Sequence, residues 1–174
     1  MQTIRGFTML RCFTVDRSGT LEEGQIINLV KYRAVEPPEV QIHVDSLFPD
    51  VVTSHGDRYI VSNNAPAAGV NEIIELLFEY VRRSYFPSRP SRFQSVFAFE
   101  NIKQAESFGK EYGTSDSLIF EVESDVAFKA DMRLLTLQGT LLVLSYWAHR
   151  YWNGISGGNN PVWEYLMASC EGSS

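Results

Sequence analysis

Short stretches of alternating polarity, set between two helical tracts, predict one α+β domain over residues 1–174. Three observations carry that reading. FTMLRCFT (Phe7–Thr14) and SLIFEVES (Ser117–Ser124) alternate with a period of two, as half-buried strands do. NEIIELLFEYVRRS (Asn71–Ser84) carries apolar residues at helical spacing. SRFQSVFAFENIKQAESF (Ser91–Phe108) passes from the first period to the second within one stretch, so a strand hands over directly to a helix. The 174 residues suffice for a substantial core, and 44% hydrophobic with 21% charged residues is ordinary for a globular chain.

A net charge of −6 argues against a surface that binds nucleic acid by phosphate attraction, although a local basic cleft is compatible with it. No run approaches the roughly 18 apolar residues of a membrane span, and the N-terminus lacks a charged-then-apolar leader. Cys12 and Cys170 give neither a metal spacing nor a disulfide framework, and reduced thiols suit a cytoplasmic protein. His43, His55 and His149 are scattered, so no metal site is expected.

In chain order, the first strand sets Thr8, Leu10, Cys12 and Thr14 against Met9, Arg11 and Phe13. Arg11 among apolar neighbours either snorkels off a strand edge or is held in a cleft to grip an anion. DRSGT (Asp16–Thr20) is a turn, and LEEGQIINL continues as an extended or short helical piece. Between Glu36 and Asn64, Pro37 and Pro38 break any helix, and SLFPD and SHGDRY read as loop or a one-turn helix. His55 in SHGDRY can serve as a base with Asp57; a surface turn bent at Gly56 is the favoured alternative. In the helix 71–84, Ile73, Ile74, Leu77 and Val81 form the buried stripe, with Glu72 and Glu75 at the positive end and Arg82 and Arg83 at the negative end. Arg82, Arg83, Arg89 and Arg92 are the one basic concentration, either a dipole complement with a solvated loop or an anion-facing rim.

The Ser91–Phe108 stretch places Phe93, Ser95, Phe97 and Phe99 on one face of its strand. Asn101 stands at the helix N-cap, and Gln104 completes a capping box. Leu118, Phe120 and Val122 point inward from the next strand, which residues 125–129 extend or pair with. Leu134–Trp152 is a second helical tract interrupted at Gly139, whose Tyr146, Trp147, Tyr151 and Trp152 read as core. After a flexible ISGGNN loop, VWEYLMA forms the last strand, with Val162, Glu164 and Leu166 on one face. Glu164 is the anomaly, because a carboxylate in an apolar face needs partners or lies on an edge in water.

An arginine in the first strand, a serine in a middle strand and a glutamate in the last one follow the order of the arginine-serine-glutamate branch of the ADP-ribosyltransferase superfamily. RFQSVFAFENIKQAESF resembles that superfamily's middle strand and helix, and VWEYLM is similar to its glutamate strand. More loosely, SRFQSVFAFE and PVWEYL resemble an uncharacterised bacterial family grouped with these enzymes. The resemblance implies split antiparallel sheets with flanking helices, and an enzyme that cleaves the nicotinamide–ribose bond of NAD+ and passes ADP-ribose to an unidentified acceptor. It also implies the roles. Glu164 stabilises the positive charge on the ribose and bonds its 2′-hydroxyl. Arg11, with Arg5 as the alternative, holds a pyrophosphate or ribose oxygen. Ser95 orients Glu164, Arg92 joins the cofactor contacts, and Phe108 stacks on nicotinamide or packs in the core. Two departures stand out. Val162 occupies the place of the Glu or Gln found two residues before the glutamate in members that modify arginine, and Val96 follows the serine. A catalytically inactive nucleotide- or protein-binding relative, or a small acidic inhibitor, are the alternatives.

Overall fold

The computed structural model describes residues 9–17, 19–27, 29, 34–49, 51–61, 70–168 and 170–173. Within them the strands form two small antiparallel sheets. One has the order β1–β4–β7–β2, with β1 at Leu10–Asp16, β2 at Ile26–Ile27, β4 at Leu118–Ser124 and β7 at Cys170–Ser173. The other has the order β3–β6–β5, with β3 at Val96–Ala98, β5 at Val126–Asp131 and β6 at Trp163–Ala168. The sheets are stitched where Phe13 and Phe99 exchange both backbone hydrogen bonds at 2.8 Å, and beside it Thr14 Oγ1 donates to the Phe97 carbonyl at 2.7 Å. Cys12 and Val122 from the first sheet meet Ala98 and Met167 from the second in a shared apolar layer.

The opposite face of the second sheet is covered by helices α3 (Val70–Tyr85) and α5 (Leu141–Trp152). Ile74, Phe78, Tyr151 and Trp152 pack there on Phe128, Ala130 and Leu166, and the Trp152 indole N–H donates to the Phe78 carbonyl at 2.8 Å. A third cluster joins Val44 of α1 (Pro38–Leu47) to Phe48, Val52 and Phe93. Helix α2 is a single turn, Ser54–Gly56, running on into a π-helical turn at Asp57–Val61. Helix α4 (Ile102–Tyr112) lies beside β1, with Gly109 against Val15.

Several expected elements change once tertiary contacts are present. Pro38 starts helix α1 instead of breaking one, because at the first helical position its missing N–H has no partner to lose. The strand expected from Phe7 begins at Leu10; Arg5, Phe7 and Thr8 lie outside the described residues. The strand expected through Phe93 is a 3₁₀ turn at Arg92–Gln94, capped by Ser91, and only Val96–Ala98 pairs as β3. Residues after Asp125 leave the β4 sheet. Ser124 Oγ bonds to the Ala168 carbonyl (2.8 Å) at the crossing, and β5 then pairs with β6, placing Ala130 opposite Glu164. The second helical tract starts at Leu141, after Gly139 takes φ +114° and Thr140 caps the Val143 N–H.

Candidate functional site

Helix α3 buries Ile74 and Phe78 but turns Ile73 to solvent and brings Glu75 and Glu79 inward, where the periodicity predicts Ile73. Ion partners on the last turn of the helix itself and on the following loop explain this rotation. Glu79 accepts from Arg82 at 2.8 and 3.0 Å, from Arg83 at 2.8 Å and from Ser91 Oγ at 2.9 Å. Glu75 accepts a two-pronged contact from Arg92, Nε to Oε2 and Nη2 to Oε1, both 2.8 Å. The basic cluster is therefore mostly an internal framework: Arg82, Arg83 and Arg92 grip buried carboxylates, and Arg89 lies over the Phe128 ring.

Arg92 is the centre of a buried polar network. Its Nη1 donates to Glu164 Oε1 at 2.6 Å and to Tyr151 Oη at 2.5 Å, and Tyr151 Oη donates to the same Glu164 oxygen at 2.8 Å. The guanidinium also lies over the Phe97 ring, 4.4 Å from its centre. Burial opposes ionisation of Glu75, but the Arg92 charge and the hydrogen bonds outweigh it and hold the carboxyl well below the usual range. Burial likewise opposes the Arg92 charge, yet Glu75, Tyr151 and Glu164 push its pKa up. Tyr151 is pushed up by burial and by its bond to Glu164, so it stays a neutral donor.

The expected catalytic side chains each have different partners. Glu164 is 4% exposed, sharing the α3/α5 face with Leu166, and is bonded to Arg92 and Tyr151. Ser95 is buried too, but its hydroxyl donates to the Ser91 carbonyl at 2.7 Å, closing the 3₁₀ turn, and does not orient Glu164. Arg11 is not held in a cleft. Its side chain, 68% exposed, lies along the first sheet and pairs with Glu123 (2.5 Å) and Glu121 (3.5 Å), because register sets Arg11 directly opposite Glu123. Arg92, expected as a cofactor contact, is the arginine that Glu164 meets.

His55 does not sit on a surface turn. Gly56 presses so closely on the next segment that an added Cβ would lie 2.3 Å from the Phe93 carbonyl oxygen, and Thr53 N–H and Oγ1 both donate to that oxygen. This docking carries the His55 ring to 4.6 Å from both Tyr59 and Phe97. The nearby carboxylate is Glu75, whose Oε1 is 3.4 Å from Nε2, and Nε2 makes no well-directed hydrogen bond. Burial lowers the His55 pKa despite Glu75, so the imidazole is neutral at neutral pH.

A cleft of about 580 Å³ opens between α4, the 3₁₀ turn Met132–Leu134 and the start of β6. Phe108, Tyr112 and Trp163 supply aromatic walls, with Lys103 and Arg133 beside them. Phe108 also packs on Phe99 and Tyr112, with ring centres 5.0 and 4.9 Å apart, so it is at once a packing residue and a wall. The capping box is half made: Asn101 Oδ1 accepts from the Gln104 N–H at 3.1 Å, but the Gln104 side chain does not return, and its buried Oε1 has no partner among the described residues. Asp131 holds the far wall, accepting from the N–H groups of Arg133, Val162 and Gly157 at 3.1, 2.9 and 2.8 Å. From β6 it is Trp163 that lines this cleft, whereas the neighbouring Glu164 serves the opposite face of the strand.

A family model, DUF2441, described as a protein of unknown function, matches residues 13–170. The chain belongs to the DUF2441 family. No curated protein matches it. Among the described residues, no group of three or more His, Cys, Asp or Glu is placed to hold a metal ion, and no helix is long and apolar enough to cross a membrane.

Sequence reading misses Glu75, Tyr151 and the cleft residues Lys103, Arg133 and Trp163. Glu75 is disguised by its position near a helix start, where an acid already has a reason to be. Tyr151 is indistinguishable from a core aromatic. The cleft residues come from three separate elements, and no spacing links them.

Proposed function

We propose that this protein is a nucleotide-binding member of an ADP-ribosyltransferase-like fold, taking NAD+ or a related nucleotide in the cleft between α4 and β6 without cleaving it. The observation that carries this is the orientation of β6: Trp163 lines the cleft, while Glu164 is tied to Arg92 and Tyr151 on the other face. Breaking the nicotinamide–ribose bond builds positive charge on the sugar, which needs a carboxylate beside it. A carboxylate already paired with a guanidinium is a poor stabiliser of that charge. The aromatic walls and the size of the cleft suit a planar ring, since ligand pockets usually span about 300–1,000 Å³. Two antiparallel sheets, with Arg11 on the first strand, Ser95 before the middle one and Glu164 on a late one, are consistent with the fold.

NAD+ at about 100 times its dissociation constant stabilises the folded state by roughly 2.7 kcal/mol, which raises the melting temperature by about 5–10 °C for a chain of this size. The same samples are assayed for free nicotinamide, and none is expected. No melting shift with any of NAD+, ADP-ribose or AMP overturns the reading.

A second reading is favoured by one observation: Glu164 Oε2 makes no hydrogen bond among the described residues, leaving an oxygen for a ribose 2′-hydroxyl. In this version the protein is an NAD+-dependent ADP-ribosyltransferase acting on an unidentified acceptor. Nicotinamide release that is lost in Glu164→Gln, with the fold retained, would establish it over the first.

A further inference from the structure

Resting on the nucleotide reading above, we infer that the cleft holds its ligand by a phosphate gripped between Lys103 of α4 and Arg133 of the turn after β5. Most cations among the described residues with a nearby acid or hydroxyl are already occupied. Arg11 is paired with Glu121 and Glu123, Arg82 and Arg83 with Glu79, Arg92 with Glu75 and Glu164, and Lys129 with Glu100. Arg150 donates to Tyr146 Oη and the Ser156 carbonyl. Arg17, Arg58, Arg89 and Lys110 have no ion pair among the described residues either, but none of them lines the cleft. The side chains of Lys103 and Arg133 have no ion pair or hydrogen bond among the described residues, and both line the cleft, where Glu111 is the one lining acid.

The backbone beneath Arg133 is firmly held while its side chain is free. Asp131 receives the Arg133 N–H, and the Met132 N–H donates to the Val162 carbonyl at 2.9 Å. The fixed backbone delivers an uncommitted guanidinium to the cleft, where it meets an oxyanion with two parallel N–H donors, while the Lys103 ammonium approaches from the helix as a point charge. With the phosphate so placed, the ring of the ligand has Phe108, Tyr112 and Trp163 to lie against. The cleft therefore selects nucleotides over nucleosides and free bases.

Calorimetric titration of the full chain with AMP against adenosine, and with nicotinamide mononucleotide against its riboside, tests this. The phosphate-bearing member of each pair is expected to bind at least about tenfold tighter, and Lys103→Gln and Arg133→Gln are each expected to weaken AMP about tenfold. Affinity should also fall as salt rises. Both side chains are exposed, so an unchanged melting temperature verifies that each variant is folded. Adenosine binding as well as AMP, or both variants binding AMP with unaltered affinity, overturns the phosphate grip while leaving the nucleotide reading in place. Absence of binding by every nucleotide overturns both.

Discussion

Replacing Arg92 with leucine removes four hydrogen bonds at once: two to Glu75 at 2.8 Å, one to Glu164 at 2.6 Å and one to Tyr151 at 2.5 Å. The stability at stake is not the sum of those bonds, since a buried ion pair gains little over an apolar substitute. The cost comes from what stays behind, two carboxylates that are each less than a tenth exposed. Orphaning buried charges costs about 3–5 kcal/mol, and for a chain of this size that lowers the melting temperature by about 10–15 °C. The pH dependence makes the test specific. In the wild type the Glu75 carboxyl is depressed, so its contribution is complete above the unfolded-state pKa of about 4.3 and fades as pH falls below it. In Arg92→Leu, burial without the guanidinium raises the Glu75 carboxyl pKa instead. The penalty is then greatest at neutral pH and is relieved as Glu75 protonates. Urea unfolding of both proteins should therefore show a gap that narrows between about pH 7.5 and about pH 4.5. Adding Glu75→Leu to Arg92→Leu should recover part of the loss by removing one orphan. A deficit under about 1 kcal/mol at neutral pH, or one that does not change on acidification, refutes the buried network as described.

Gly56→Ala puts a Cβ 2.3 Å from the Phe93 carbonyl oxygen and 2.7 Å from Val52 Cβ, so the turn carrying Arg92 must shift. Denaturant unfolding should show a loss of about 1–3 kcal/mol; wild-type stability would mean that α2 docks more loosely. Burial, with Glu100 adding to it, pushes the Cys12 thiol up to about 11. In a Cys170→Ser chain, thiol reagents at about pH 8 should react no faster than the protein opens, and rapid labelling of the folded form contradicts the burial of Cys12.

The parts of the fold that the amino-acid pattern determines by itself are those with a local cause. Period-two alternation marks β1, β4 and β6, a 3.6-residue period with charges suited to the dipole marks α3, and Asn101 marks the start of α4. Glu164 is visible in the same way, as a residue that breaks its strand's pattern. Only the tertiary structure decides whether such a break is solvated, catalytic or paired, because the answer lies with a partner elsewhere in the chain. Glu164 and Arg92 are 72 residues apart, and Glu75 and Arg92 are 17 apart. An acid on a helix has the same local pattern whether it faces water or a buried guanidinium, so the inward turn of Glu75 and Glu79 leaves no trace in the spacing. The pairing of β5 with β6 and the convergence of Lys103, Arg133 and Trp163 on one cleft are hidden for the same reason. Local polarity is a property of a residue, whereas compensation of a buried charge is a property of a contact, and contacts exist only once the chain has folded.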